Sequence, residues 1–298
     1  MLGVGFSSCP WLAVRESETI RSAVSKATHI LQNTGIPEPC ESAEYLAISS
    51  FPRIRTRTEA LSSLRKPAGT DLDRFIELCK RRERNRTPIQ YLVGDWDFHS
   101  ITLLVRAPVL IPRPETEELV ELVLQGVCEE DANILDVGCG SGAIFLAVLA
   151  SRPKWTATGV DVAAEAVHLS GDNTELHGFG NRVSILHGTI KDVCADGVFD
   201  AIVSNPPYIP ARDMEDLDAE VKEHEDVRAL CGGEDGLDVV REILEFAPRV
   251  VKPGGSIWLE VDSGHPAVLE RLSFEEVEYV KTYKDMCGKA RFCHLRVR

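Results

Sequence analysis

Residues 134–161 constrain the fold more tightly than any other stretch of this chain. Ile134-Leu135-Asp136-Val137 is a short apolar run, Gly138-Cys139-Gly140-Ser141-Gly142 follows it, and Ala143-Ile144-Phe145-Leu146-Ala147-Val148-Leu149 is apolar throughout. The pattern predicts a buried strand, a glycine-rich turn and a buried helix. Glycines at alternate positions admit backbone conformations closed to other residues and let the chain approach a ligand closely. The helix N-terminus beyond them offers N–H groups to a polar or anionic group. A second apolar stretch, Thr156-Ala157-Thr158-Gly159-Val160, ends in Asp161. That acid lies about twenty residues past the glycines, where the tip of the next parallel strand can bind ribose hydroxyls. The loop alone leaves the cofactor open, because Gly138, Gly140 and Ala143 also satisfy the dinucleotide pattern of a nicotinamide enzyme. Asp136 has two readings as well: it accepts loop N–H groups, or it holds a charged part of the ligand.

Further on, Phe199-Asp200-Ala201-Ile202-Val203-Ser204 reads as another buried strand, and Asn205-Pro206-Pro207-Tyr208 follows directly. Neither proline has an N–H, and each holds φ at about −65°, so the chain leaves the strand as a stiff extended turn. Such a turn presents carbonyl oxygens without adjacent donors, and the side-chain carbonyl of Asn205 adds another acceptor beside the flat ring of Tyr208. The natural guest is a planar group carrying an NH2. In an open α/β sheet ligands collect at the carboxyl ends of adjacent strands, so the glycine loop, Asp161 and Asn205 to Tyr208 make one pocket. The chemistry suggested is methyl transfer from S-adenosylmethionine to nitrogen.

Further stretches carry a resemblance. Pro88-Ile89-Gln90-Tyr91-Leu92-Val93-Gly94, Leu110-Ile111-Pro112-Arg113-Pro114-Glu115-Thr116-Glu117, Gly232-Gly233-Glu234-Asp235-Gly236-Leu237, and Lys284-Asp285 with Gly288 and Arg291 accompany the motifs above. Together they make the chain similar to the release-factor glutamine methyltransferases of the HemK/PrmC type, and among these to animal organellar members. Asn-Pro-Pro-Tyr by itself is shared with DNA adenine methyltransferases. The resemblance implies a class I S-adenosylmethionine-dependent methyltransferase, a doubly wound seven-stranded α/β sheet with a small N-terminal helical domain. It implies that Gly138, Cys139, Gly140, Ser141, Gly142 and Asp161 bind the cofactor, with Asn205 beside it. Asn205, Pro206, Pro207 and Tyr208 would hold the substrate glutamine, of which Asn205, Pro206 and Tyr208 would be catalytic. The substrate would be the glutamine of the Gly-Gly-Gln motif in peptide-chain release factors. Where many members carry an acid and an aromatic after the third strand, this chain has Thr189-Ile190; Thr189 can make an uncharged hydrogen bond and Ile190 is a candidate apolar wall for the adenine.

Composition narrows the field. With 298 residues, 44% hydrophobic and 27% charged, the chain reads as one or two ordinary globular domains, and no apolar run spans a bilayer. The nine cysteines are scattered without a C-x-x-C pair, so neither a disulfide framework nor a metal site is indicated. Cys139 meets the need for a small residue between glycines. Residues 1–87 hold 14 Lys+Arg against 10 Asp+Glu, a net of +4, which leaves −18 of the total −14 on the remainder. A catalytic region this acidic repels DNA phosphates, against an N6-adenine DNA methyltransferase and against any direct nucleic-acid partner. A nicotinamide oxidoreductase gives no reason for Asn-Pro-Pro-Tyr. A cofactor-binding assembly factor without catalysis is the rival from another class, with the altered Thr189-Ile190 as its footing. The basic run Lys80 to Arg86 reads as a solvated helix end or as a docking patch.

Four segments are expected: a tail over 1–18, a helical substrate-docking domain over 19–87, a linking β-hairpin over 88–112 and the methyltransferase domain over 113–298. Ile20, Val24, Ala27 and Leu31 mark one helix, and Leu72, Phe75, Ile76 and Cys79 another. Arg113, Glu115 and Glu117 suit a helix N-terminus with Pro114 in its first turn, while Phe98 reads as core. Asp213 to Asp226, dense in acids, is a solvated face or a lid over the bound side chain. The tail lacks the arginine richness of a strong transit peptide; mitochondrial matrix is expected from the resemblance, with cytoplasm as the alternative. A monomer is expected.

Overall fold

The computed structural model describes residues 10–194, 196–272 and 274–298, and the chain separates into two compact units after Gly94. The first unit is helical: α1 (Pro10–Arg15), α2 (Ile20–Asn33), α3 (Pro39–Ser50), α4 (Arg57–Ser62), α5 (Gly69–Asn85) and α6 (Ile89–Val93). Helix α2 starts where the Thr19 hydroxyl accepts the Ser22 N–H at 3.1 Å. It buries Ile20, Ala23, Val24, Ala27 and Leu31 along one face, and these meet Leu72, Phe75, Ile76 and Cys79 of α5 in a single core. In the basic run, Arg81 and Arg84 are exposed. Arg82 instead is buried, and its guanidinium donates to the carbonyls of Pro37, Arg86 and Thr87. It is a core cross-link rather than part of a charged surface.

Two expected boundaries shift. Residues 1–9 of the expected tail lie outside the described residues, but Pro10–Arg15 form α1, which buries Trp11 and Val14 in the helical core. An amphipathic pattern of six residues is too short to stand out in sequence. Within the stretch 88–94, expected as part of the hairpin, Ile89–Val93 is helical. Pro88 precedes α6, and Gly94, at φ +92°, closes it by donating its N–H to the Gln90 carbonyl at 2.8 Å. The run Tyr91-Leu92-Val93 has strand propensity, and the flanking proline and glycine override it. The hairpin is shorter and belongs to the second unit: β1 (Asp95–Phe98) pairs antiparallel with β2 (Ile101–Leu104), and Phe98 is core.

The second unit continues with α7 (Pro114–Gly126), β3 (Asn133–Val137), α8 (Ala143–Ser151), β4 (Thr156–Asp161), α9 (Ala164–Leu176), β5 (Val183–His187) and β6 (Phe199–Ser204). Short helices α10 (Ala219–Lys222) and α11 (Val227–Leu230) precede α12 (Asp238–Val250), β7 (Val251–Glu260), α13 (Pro266–Leu269), β8 (Val277–Lys284) and β9 (Ala290–Val297). Seven strands form one sheet in the order β5-β4-β3-β6-β7-β9-β8. The five from β5 to β7 are parallel, and β9 and β8 add antiparallel. Pro253-Gly254-Gly255 lies within β7. The chain runs outward from β3 to β5, then returns to β6 on the other side of β3, which opens a crevice at the carboxyl ends of these strands. No helix among the described residues is long and apolar enough to cross a membrane.

Side chains alternate between the two faces of the sheet. Ile134, Ala201, Val203 and Trp258 pack with α7 and the wholly buried apolar run of α8 on one face. Leu135, Ile202, Ile257 and Leu259 pack with Val240, Ile243, Leu244 and Ala247 of α12 on the other. At the crevice the buried Ser204 hydroxyl donates to the Val137 carbonyl at 2.6 Å, tying the last residue of β6 to the last residue of β3. Ser204→Ala leaves that carbonyl buried and unpaired, a cost of about 1–3 kcal/mol. The expected result is a melting temperature lowered by a few degrees, roughly 2–4 °C per kcal/mol for a unit of this size. Calorimetry checks it, and an unchanged transition would remove Ser204 from this role.

Candidate active site

Each strand from β3 to β6 ends at one crevice, and each delivers one part of a site. After β3 the backbone turns sharply: Gly138, Gly140 and Gly142 all have positive φ, at 72°, 55° and 83°. A Cβ at Gly142 would lie 2.8 Å from the Phe145 ring, whereas one at Gly138 would meet nothing within 4 Å. Gly142 is therefore required by packing, and Gly138 shows bare backbone to the crevice. After β4, Asp161 Oδ2 accepts the Gly140 N–H and Oδ1 accepts the Ala163 N–H, both at 2.9 Å. The carboxylate braces the glycine loop from across the sheet, and each oxygen keeps a second lone pair. Burial pushes the Asp161 carboxyl above its ordinary range, against the two N–H bonds.

After β5, Ile190 is buried and walls the crevice. Thr189 is occupied otherwise: its hydroxyl caps the following turn, accepting the Lys191 N–H and donating to Asp192. After β6 stand Asn205, half-buried, Pro206, buried, and Pro207 and Tyr208, half-buried. One open cleft joins Gly138, Gly140, Asp161, Ile190, Asn205 and Pro207, with Val109 and Leu110 from the segment after the hairpin. Cys139, Ser141 and Gly142 support it from beneath without lining it. Pro206 and Tyr208 also stand outside the lining.

The turn at Asn205 is held from below by glycines. Gly232 donates its N–H to the Ile209 carbonyl at 2.9 Å. A Cβ there would lie 2.4 Å from the Pro207 carbonyl, and one on Gly236, at φ +82°, would lie 2.3 Å from the Tyr208 carbonyl. Arg113, at the N-cap of α7, pairs with the buried Glu225 at 2.6 Å. The Asp226 N–H donates to the Pro108 carbonyl at 2.8 Å, so the acidic segment is strapped at its end to the residues around Pro108 to Arg113. Asn205 Nδ2 donates to the Thr116 hydroxyl at 3.2 Å, which donates to Glu260 at 2.8 Å. Burial raises the Tyr208 hydroxyl to about 12, helped by Glu260 and opposed by Arg291 and Arg113.

Three functional positions carried no assigned role in sequence. Asn173 is fully buried in α9; its Oδ1 accepts the Leu104 N–H at 2.7 Å and its Nδ2 donates to the carbonyls of Leu104 and Ser141. It clamps β2 to the glycine loop, and the only trace in sequence is an asparagine on a helix face that tertiary packing buries. Thr116 and Glu260, 144 residues apart, meet only in the folded chain.

The fold and the cleft define a class I S-adenosylmethionine-dependent methyltransferase: a doubly wound sheet with a braced glycine loop, an acid on the next strand and an apolar wall, to which that cofactor fits. A family model described as a methyltransferase small domain matches residues 116–221, and one described as a PrmC N-terminal domain matches residues 22–94. The human protein described as MTRF1L release factor glutamine methyltransferase is 37% identical over 324 residues, covering 99% of this chain and 92% of its own. Release factor glutamine methyltransferases of Gloeobacter violaceus and Caulobacter vibrioides are 36% and 35% identical, covering 82% and 90% of this chain and 85% and 93% of theirs. This chain belongs to the HemK/PrmC family of release factor glutamine methyltransferases.

Asp136 lies under the loop, fully buried, and neither oxygen accepts a hydrogen bond among the described residues. The Phe145 N–H faces the carboxyl without reaching hydrogen-bond geometry, so the loop-fixing reading of this acid is not met. Burial raises its pKa to about 8, with the Asp161 charge adding to it. Because the folded pKa exceeds the unfolded one, the contribution to stability is complete below about pH 4 and falls as pH rises to about 8. Asp136→Asn removes that dependence. Its stability relative to the wild type should grow between pH 5 and pH 8, by at most about 1.4 kcal/mol per pH unit. Denaturant unfolding at the two values measures it, and a constant difference would contradict a protonated Asp136.

Proposed function

We propose that this chain transfers a methyl group from S-adenosylmethionine to the side-chain amide nitrogen of the glutamine in the Gly-Gly-Gln motif of peptide-chain release factors, in support of translation termination. The observation that carries the reading is the corner at Asn205 and Pro206. Among the described residues no hydrogen bond reaches Asn205 Oδ1 or the Pro206 carbonyl, and Pro207 has no N–H to compete for them. An amide nitrogen is a poor nucleophile because its lone pair is delocalised into the carbonyl. Two acceptors holding its two N–H bonds fix the nitrogen in place and favour the positive charge that develops on it. The ring of Tyr208 packs beside the amide plane, and its hydroxyl stays neutral at physiological pH.

Gly138, Gly140 and Asp161 would hold the cofactor, with Cys139, Ser141 and Gly142 shaping the loop from beneath and Ile190 as an apolar wall. When bound, S-adenosylmethionine supplies an electrophilic methyl group on its sulfonium. One amide proton leaves to solvent after the new N–C bond forms, so no histidine base is needed. The helical segment, with its net positive charge, docks the release factor. The matrix of the mitochondrion is the compartment we infer.

Incubation with labelled S-adenosylmethionine, a release factor and duplex DNA tests the substrate. Label is expected on the glutamine and absent from the DNA and from a factor whose motif glutamine is replaced by alanine. Asn205→Ala should lower turnover by about 10²–10³, with a smaller change in cofactor affinity by calorimetry. Equal losses in both would refute the assignment of Asn205 to the substrate.

A further inference from the structure

An asparagine side chain can offer its oxygen or its NH2 to the same guest, and the two choices have opposite consequences. Only an oxygen facing the cleft accepts an N–H from a substrate amide; an NH2 there sets donor against donor. The half-buried Asn205 has its orientation decided by what lies behind it. Thr116 and Glu260 are both buried, at 3% and 1% exposure, and form a chain from Asn205 Nδ2 to the Thr116 hydroxyl to Glu260 Oε2.

The count of protons on that chain sets its direction. A threonine hydroxyl has one proton to give, and an ionised carboxylate only accepts. With Glu260 ionised, the Thr116 proton is committed to it, and the Thr116 oxygen can only accept from Asn205. Asn205 must then present Nδ2 backward and Oδ1 forward. With Glu260 protonated the direction is no longer fixed: the carboxylic acid can donate to Thr116, which frees the Thr116 proton to turn to Asn205 and lets the amide rotate to present Oδ1 backward.

We propose that Thr116 and Glu260 are positioning residues that fix which edge of the Asn205 amide faces the substrate, and that protonation of Glu260 releases that edge and lowers turnover. The inference rests on the reading of Asn205 as an acceptor for the glutamine amide. Glu260 ends β7 and is faced by Thr116, Glu115 and Arg113 from the start of α7, by Arg291 from β9 and by Tyr208 from the turn after β6. The two cations are committed elsewhere, Arg291 to Asp285 at 3.1 Å and Arg113 to Glu225 at 2.6 Å. Burial therefore prevails over their attraction and over the Thr116 hydrogen bond, and raises the Glu260 carboxyl to about 7. The switch falls within the range a cell compartment spans.

The test is the pH profile of turnover at saturating release factor and cofactor, for the whole chain, with cofactor affinity measured in parallel. The wild type should lose activity as pH falls through about 7, approaching tenfold per unit below it. Glu260→Gln cannot ionise, so it should be slower at pH 8 and lack that limb. Thr116→Val keeps the shape and loses the hydroxyl; turnover should fall by about 10-fold or more while cofactor affinity stays within twofold, and Thr116→Ser should restore it. An acid limb retained in Glu260→Gln, or wild-type turnover in Thr116→Val, overturns the relay. If Asn205→Ala is inactive while both relay variants behave as wild type, the relay alone is wrong. If Asn205→Ala is active, the reading of the site falls with it.

Discussion

Parallel register between neighbouring strands, with β3 and β6 buried at the centre, is the constraint on which the rest of this molecule depends. Val137, Asp161, His187 and Ser204 end four neighbouring strands, and the paired residues before them hold those ends level. Each strand end launches a loop with little or no surface of its own to bury. The glycine loop, the turn at Ile190 and the Asn205 turn meet because the strands beneath them cannot slide: a shift of one residue would send every core side chain to the wrong face. The Ser204 hydroxyl on the Val137 carbonyl closes the central pair at the point where their loops diverge.

On that base a second tier of polar contacts sets the finer geometry, and nearly all of it is buried. Asp161 braces the glycine loop, Asn173 clamps it to the hairpin, and Gly232 and Gly236 leave room for the carbonyls of Pro207 and Tyr208. Polar groups in these positions act with more force than at a surface, because water is not there to replace a lost partner. The same burial raises the pKa values of Asp136, Asp161, Glu260 and Tyr208. For Asp136 and Glu260 it brings proton affinity near neutrality.

Most of the candidate site was legible in sequence because it sits in contiguous runs. Gly138 to Gly142, Asp161 and Asn205 to Tyr208 each carry their backbone demands locally, through glycine and proline. Their meeting follows from the strand that precedes each of them. The hairpin and the terminal helix were less legible. Tyr91-Leu92-Val93 has strand propensity within a turn of helix, and six residues of α1 show too little periodicity to announce Trp11 and Val14 as core. Arg82, one arginine in a basic run, gives no local sign that it is enclosed by carbonyls.

What the sequence by itself determined is the alternation of strands and helices in the second unit, the glycine loop and the acceptor-rich turn, since these depend on residue type at short range. Only the tertiary structure decided which side chains stand behind them. Thr116 behind Asn205, Glu260 behind Thr116 and Asn173 behind the glycine loop come from distant parts of the chain. A hydrogen bond depends on positions within a few tenths of an ångström, and such positions are set by packing the whole sheet rather than by any local run.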